Sequence, residues 1–271
     1  MGINQSRPAQ QPARKPPRQS KPPSQSSDQP TKIAICIGIL YRGTQLELAK
    51  CVDDAQRMRD VLAQRGYSVV MMTEEASTPR NLLPTRENII AQLNAITARN
   101  IFISYSGHGS QSINRDGTEH DGLDETIIPM DFPKTRQMIT DNSLLAILRS
   151  KRNSEIMFFS DSCHSGTLLD LRYNLTHKSA WTIDSGFATV LADDPKIVII
   201  SSCMDSQVSY ELMSGGVLTN FFATSISKTP TLTFEQFMAE SRSFENMQLA
   251  TIAFSDRFSL KRGLFEPLVP A

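Results

Sequence analysis

Two short segments hold residue types that could make and break a bond. Tyr105-Ser106-Gly107-His108-Gly109-Ser110-Gln111 sets a histidine between two glycines, and Asp161-Ser162-Cys163-His164-Ser165-Gly166 sets a cysteine in a polar turn. A thiol is a strong nucleophile only as thiolate, and a neighbouring imidazole can hold it in that form. Glycines beside the histidine permit backbone angles and close approach that a side chain would forbid. His108 precedes Cys163 by 55 positions, so only the fold can bring them together. His164 adjoins the cysteine, but successive residues after a strand point in different directions, which ranks it below His108 as the base. His120 and His177 read as structural, and Cys36, Cys51 and Cys203 as buried small apolar residues.

The elements that must position this pair are legible in the pattern of apolar residues. Residues 32–40 form a continuous, β-branched run, as expected of a strand buried on both faces. Residues 67–73, 100–106, 155–161 and 196–202 read as further strands, and 127–130 as a short one. Residues 47–65 have helical spacing and end at Gly66. Thr85 and Thr140 can cap helices, and Thr233 with Gln236 has the form of a capping box. Strands alternating with helices predict an α/β fold, a mostly parallel central sheet flanked by helices on both faces. Both candidate segments follow strands, at the carboxyl ends where such sheets bind ligands. Residues 171–194 lack clear periodicity and read as a long connection, a class that is often functional.

The chain has 271 residues, with 28 basic and 28 acidic side chains. Net neutrality argues against a dedicated nucleic-acid binder. The balance is uneven, however: residues 1–31 carry Arg7, Arg14, Lys15, Arg18 and Lys21 against Asp28 alone. That segment also holds seven of the 15 prolines and little to bury, so it is expected to be disordered. The domain should begin near residue 32. No apolar stretch is long enough for a membrane helix. The four cysteines form no CxxC pair, no short apolar run follows a basic start, and a cytoplasmic location is expected. Gly2 followed by Ser6 matches the N-myristoylation pattern, which would give weak membrane tethering through the basic N-terminal segment.

Taken together, the YSGHGSQ and DSCHSGT segments resemble the histidine and cysteine motifs of type I metacaspases, caspase-like cysteine peptidases. The interval between them is close to the approximately 50 residues typical of caspases. The resemblance extends from Lys32 to the C-terminus. It takes in Gly38, Tyr41-Arg42-Gly43, Cys51-Val52-Asp53-Asp54 and Leu123-Asp124-Glu125, and the Pro/Gln-rich N-terminal segment is similar to a prodomain. It implies a caspase-like peptidase domain over 32–271, large-subunit-like over 32–170, with a linker over 171–194 and a small-subunit-like part over 195–271. It implies a Cys-His dyad, acyl transfer through a thioester and, for the oxyanion, the N–H groups of Gly109 and Cys163.

The resemblance also implies cleavage of protein or peptide substrates after Arg or Lys, with an S1 pocket at Cys51, Asp54, Ser106 and Asp161. A carboxylate such as Asp161 at the end of a buried strand is costly unless paired. Its partner could be a substrate cation, a resident arginine or the N-terminus of a helix. Calcium activation is implied, with ligands at Asp124, Asp141 and Asp170; Asn142 stands where the family usually has a second aspartate, which removes one charge. Arg172 and Lys178 in the linker, and Arg18 and Lys21 in the N-terminal segment, match candidate self-cleavage sites, and a monomer is implied. Asp116, Glu119, Asp121, Asp124 and Glu125 form an acidic cluster, which could bind calcium or simply be solvated, and which lacks EF-hand spacing. The competing readings are a catalytically weak or silent scaffold, a peptidase of other specificity, such as an asparaginyl cleaver, and a dinucleotide- or phosphate-binding α/β protein, which no glycine-rich loop after the first strand supports.

Overall fold

The computed structural model describes residues 1, 31–114, 122–162, 168–175, 181–183, 191–202, 211–212, 215–242 and 250–268. The first apolar run becomes β1 (Lys32–Gly38), followed by α1 (Cys51–Ala63), β2 (Ser68–Thr73), α2 (Arg86–Ala95) and β3 (Asn100–Ser106). A side sheet of β4 (Gly109–Ile113), β5 (Leu123–Ile127) and β6 (Ile139–Thr140) comes next, with the short α3 (Phe132–Thr135) ahead of β6. Then come α4 (Asp141–Arg149), β7 (Glu155–Asp161), β8 (Tyr173–Leu175), β9 (Trp181–Ile183) and β10 (Lys196–Ser201). The chain continues through β11 (Glu211–Leu212), β12 (Gly215–Gly216), α5 (Val217–Lys228), α6 (Phe234–Ser241) and β13 (Thr251–Phe254).

The main sheet has the order β2-β1-β3-β7-β10-β13-β8-β9. Its pairings are parallel from β2 to β10 and antiparallel from β10 to β9. Because neighbouring residues on a strand face opposite ways, the sheet buries two separate apolar layers. Ala34, Cys36, Phe102, Phe159 and Ile200 meet Met58 and Leu62 of α1, Phe222 and Ile226 of α5, and Phe237 of α6. Ile35, Ile103, Phe158 and Ile199 meet Ile89 and Leu93 of α2 and Leu144 and Leu148 of α4.

Local signals end the helices where the sequence places them. The Thr85 and Thr140 hydroxyls accept from the N–H groups of Asn88 and Ser143, and Thr233 with Gln236 closes a capping box. Gly66 has φ +77°, and the Tyr67 N–H reaches the Leu62 carbonyl to finish α1. Several features were not anticipated, and β5 ends at Ile127 where a strand over 127–130 was expected. Residues 217–228 form a helix, residues 251–254 form a strand, and part of the expected linker enters the sheet as β8, paired with β13. Among the described residues, no helix is long and apolar enough to cross a membrane.

Candidate active site

The carboxyl ends of β1, β3 and β7 lie side by side. Gly38 pairs with Ser106, and Ser106 pairs with Asp161. His108 follows Ser106 by two residues, and Cys163 follows Asp161 by two. Cys163 itself lies outside the described residues, as do His164, Cys203, Lys178, Arg18, Lys21 and Gly2.

His108 is fixed on several sides. Its Nε2 is 2.9 Å from the Leu46 carbonyl oxygen. A carbonyl only accepts, so this contact assigns the proton to Nε2 and leaves the Nδ1 lone pair of a neutral ring free to act as base. The His108 main chain contacts two phenols: its N–H donates to the Tyr41 hydroxyl at 3.0 Å, and its carbonyl accepts from the Tyr105 hydroxyl at 2.6 Å. Gly109 opens β4 opposite Ile127, and the Ile128 N–H donates to the His108 carbonyl. That register turns the Gly109 N–H away from β5.

Beside this end of the sheet, the structure gathers Asp54, Ser106 and Asp161, with Cys51 one turn earlier on the same face of α1 as Asp54. Both carboxylates are buried, Asp54 at 2% and Asp161 at 7% exposure. Asp54 accepts from the Ser106 hydroxyl at 3.0 Å and from the Gly216 N–H at 3.0 and 3.1 Å. Asp161 accepts from the Thr219 N–H at 2.9 Å and its hydroxyl at 2.8 Å. Asp161 thus meets the first turn of α5, a helix from far along the chain whose own N-cap is Gly216. Gly216 and Thr219, the partners of these two acids, are not marked by any sequence signal. A Cβ on Gly216 would collide with the Asp161 carboxylate, so any side chain there would have to displace that carboxylate from its Thr219 contacts. Burial, and then the charge of Asp161, push the Asp54 carboxyl up to about 7; the Gly216 N–H and Ser106 hydroxyl oppose the shift. Cys36, in contrast, sits in the core, and burial pushes its thiol up to about 12, which suits an inert residue.

A second acidic group lies at the junction of β5, α4 and the chain before β8. Oxygens of Glu125, Asp141 and Asp170 all lie within 4.8 Å of one another. Asp141 also accepts from the Glu125 N–H at 3.0 Å. Asp170 has φ +40°, a strained angle for an aspartate. Asp124 faces elsewhere: it accepts from the amides of Asn114 at 2.6 Å and Asn142 at 3.3 Å. Glu125, a member of the acidic cluster but not one of the ligands the resemblance implies, is the β5 residue that joins Asp141 and Asp170. Three carboxylates, two of them buried, form an all-oxygen donor set that fits a hard divalent cation such as calcium. Arg172 lies just ahead of β8, with its guanidinium 5.5 Å from the Tyr173 ring centre.

The architecture is that of a caspase-like protein. A Geobacter sulfurreducens protein of known structure superposes with a TM-score of 0.65, at 24% identity over 89% of this chain and all of that one. Caspase-1 from Spodoptera frugiperda gives 0.52 at 12% identity, over 83% of this chain and 85% of that one. These two likenesses establish the fold. The family profile "Metacaspase, peptidase C14 domain" matches residues 32–172. Metacaspase-1 of Plasmodium falciparum is 35% identical over 200 residues, which is 69% of this chain and 32% of that protein. Metacaspase-1 of Arabidopsis thaliana is 33% identical over 222 residues, 73% of this chain and 60% of that protein. The chain belongs to the metacaspase family of cysteine peptidases. The match spans about a third of the Plasmodium relative's length.

Proposed function

We propose that the protein is a calcium-stimulated cysteine endopeptidase that cleaves after Arg or Lys. The observation that carries this reading is the register of Ser106 with Asp161 at the ends of adjacent strands. His108 and Cys163 each follow that pair by two residues, which favours their meeting above it. The two buried acids lie directly beside this point, as recognition of a basic side chain would require.

In this reading, the Cys163 thiolate attacks the scissile carbonyl and the C–N bond breaks to leave a thioester. His108, having taken the Cys163 thiol proton on Nδ1, delivers it to the departing amine and then takes one from the water that hydrolyses the thioester, which restores the starting pair. The N–H groups of Gly109 and Cys163 stabilise the oxyanion. Asp54 and Asp161 receive the substrate guanidinium or ammonium, with Ser106 and Cys51 lining the same pocket. Glu125, Asp141 and Asp170 would hold the calcium ion, with Asp124 and Asn142 alongside. The ion would supply charge that draws β5, α4 and the chain before β8 together. Arg172 and Lys178, and Arg18 and Lys21 of the N-terminal segment, are self-cleavage candidates in this reading. The protein acts as a cytoplasmic monomer, tethered to membranes only if Gly2 is acylated.

The test is hydrolysis of fluorogenic Arg, Lys, Asp and Asn peptides, with calcium and with chelator. Wild type should turn over only the Arg and Lys substrates, with calcium, and Cys163→Ala should be inactive. Asp161→Asn should abolish arginyl cleavage, and full activity in that variant would remove Asp161 from the pocket. A wild type inactive in every condition would favour the silent scaffold.

A further inference from the structure

Two buried tyrosines touch His108 from positions that the proposed chemistry does not use. Tyr41 is 1% exposed and Tyr105 is inaccessible. With Gly109 opposite Ile127, the next pair in an antiparallel ladder would be His108 and Ile128, exchanging two direct hydrogen bonds. One of them is present, from the Ile128 N–H to the His108 carbonyl at 3.0 Å. In place of the other, the His108 N–H donates to the Tyr41 hydroxyl at 3.0 Å, and that hydroxyl donates to the Ile128 carbonyl at 2.6 Å. Tyr105 mirrors this: its hydroxyl accepts from the Ile128 N–H at 3.2 Å and donates to the His108 carbonyl at 2.6 Å. The two phenol oxygens are 3.3 Å apart. The ladder is thus opened by an inserted phenol at the residue whose ring must face the crevice.

Three further facts bear on the arrangement. Tyr41 has φ +52°, a left-handed conformation that a bulky residue adopts only when its surroundings demand it. Its ring lies 5.0 Å from the His108 imidazole, centre to centre. A Cβ on Gly107 would stand 2.8 Å from the Tyr105 hydroxyl and 3.0 Å from that of Tyr41, so a glycine before His108 makes room for both. Burial, then Tyr105, hold the Tyr41 phenol well above its ordinary pKa, so it remains a proton donor.

We propose that Tyr41 and Tyr105 are positioning residues for His108. Their hydroxyls complete a circuit between His108 and Ile128 that sets the main chain of the catalytic histidine, and through it the direction of Nδ1. The inference rests on the peptidase reading and adds two residues to it. It also ties His108 to β5, the strand that carries Glu125.

The experiment compares full-length wild type, Tyr41→Phe, Tyr105→Phe and the double variant. Each is checked for a cooperative melt, then assayed for kcat and KM on an arginyl peptide and for the rate of Cys163 alkylation by iodoacetamide, read by peptide mass spectrometry. Each single variant is expected to lose roughly 10- to 100-fold in kcat, with KM changed less than about two-fold, because positioning acts on the chemical step. Cys163 alkylation should slow in parallel. The double variant should fall little further than the worse single, because both hydroxyls serve one circuit. Folded variants with wild-type kcat and alkylation rate would overturn the proposal, as would a failure of both single variants to fold, which would make the hydroxyls core framework. Absence of wild-type turnover would instead strike the peptidase reading, and the alkylation rates would still decide the role of the tyrosines.

Discussion

At the scale of single residues, the acid pair governs the expected behaviour. An Asp54 carboxyl raised from 3.8 to about 7 retains its proton in the folded chain where the unfolded chain has lost it. The folded state therefore binds more protons between those values, and this group's contribution to stability declines as pH rises from about 4 to about 7. Burial is the larger cause of that shift and the charge of Asp161 the second; a bound guanidinium would offset both by pairing with the carboxylate, and so favour the ionised form. KM for an arginyl peptide should therefore fall as pH rises through about 7, and Asp54→Asn should lose that slope; initial-rate kinetics at fixed calcium would show it. Gly216→Ala tests the same pocket from the other side. Its methyl would land on Asp161 and stand 3.2 Å from an Asp54 oxygen. Arginyl kcat/KM should drop at least roughly ten-fold, with the melting temperature as the control for folding.

At the scale of elements, the ends of helices were legible and the partners of strands were not. Thr85, Thr140 and Thr233 act on amides three residues away, so the sequence states both donor and acceptor. Thr140→Ala should cost about 1 kcal/mol, seen as a fall of roughly 2–4 °C in melting temperature. The choice between Asp124 and Glu125 is of another kind. Adjacent residues on a strand point to opposite faces, and only the pairing of β5 with β4 and β6 decides which carboxylate meets Asp141. Glu125→Gln should accordingly weaken calcium-induced thermal stabilisation more than Asp124→Asn does. Gly216 and Thr219 were hidden for the same reason: they reach acids 162 and 58 positions away. α5 was missed because its residues 217–219 are all buried, so no clean polar face marks the helix. β13 was missed because four residues are too few to show a period.

At the scale of the molecule, the parallel half of the sheet followed from its continuous apolar runs, while the antiparallel half depends on contacts between distant segments. Phe222 lies at the centre of one apolar layer, against Phe102, Phe159 and Phe237. Phe222→Ala should cost about 3–5 kcal/mol in chemical unfolding. The strand order has a further consequence. A break after Arg172 would divide the main sheet four strands to four: β2, β1, β3 and β7 in one piece, β10, β13, β8 and β9 in the other. The seam would be the β7–β10 pairing, Glu155 with Lys196 through Ser160 with Ser201, clasped by apolar layers to which both pieces contribute. Asp54 would belong to one piece and the Gly216 that contacts it to the other. Nicked protein should therefore elute as a single particle and part only in denaturant, so that at Arg172 the covalent chain is the dispensable bond.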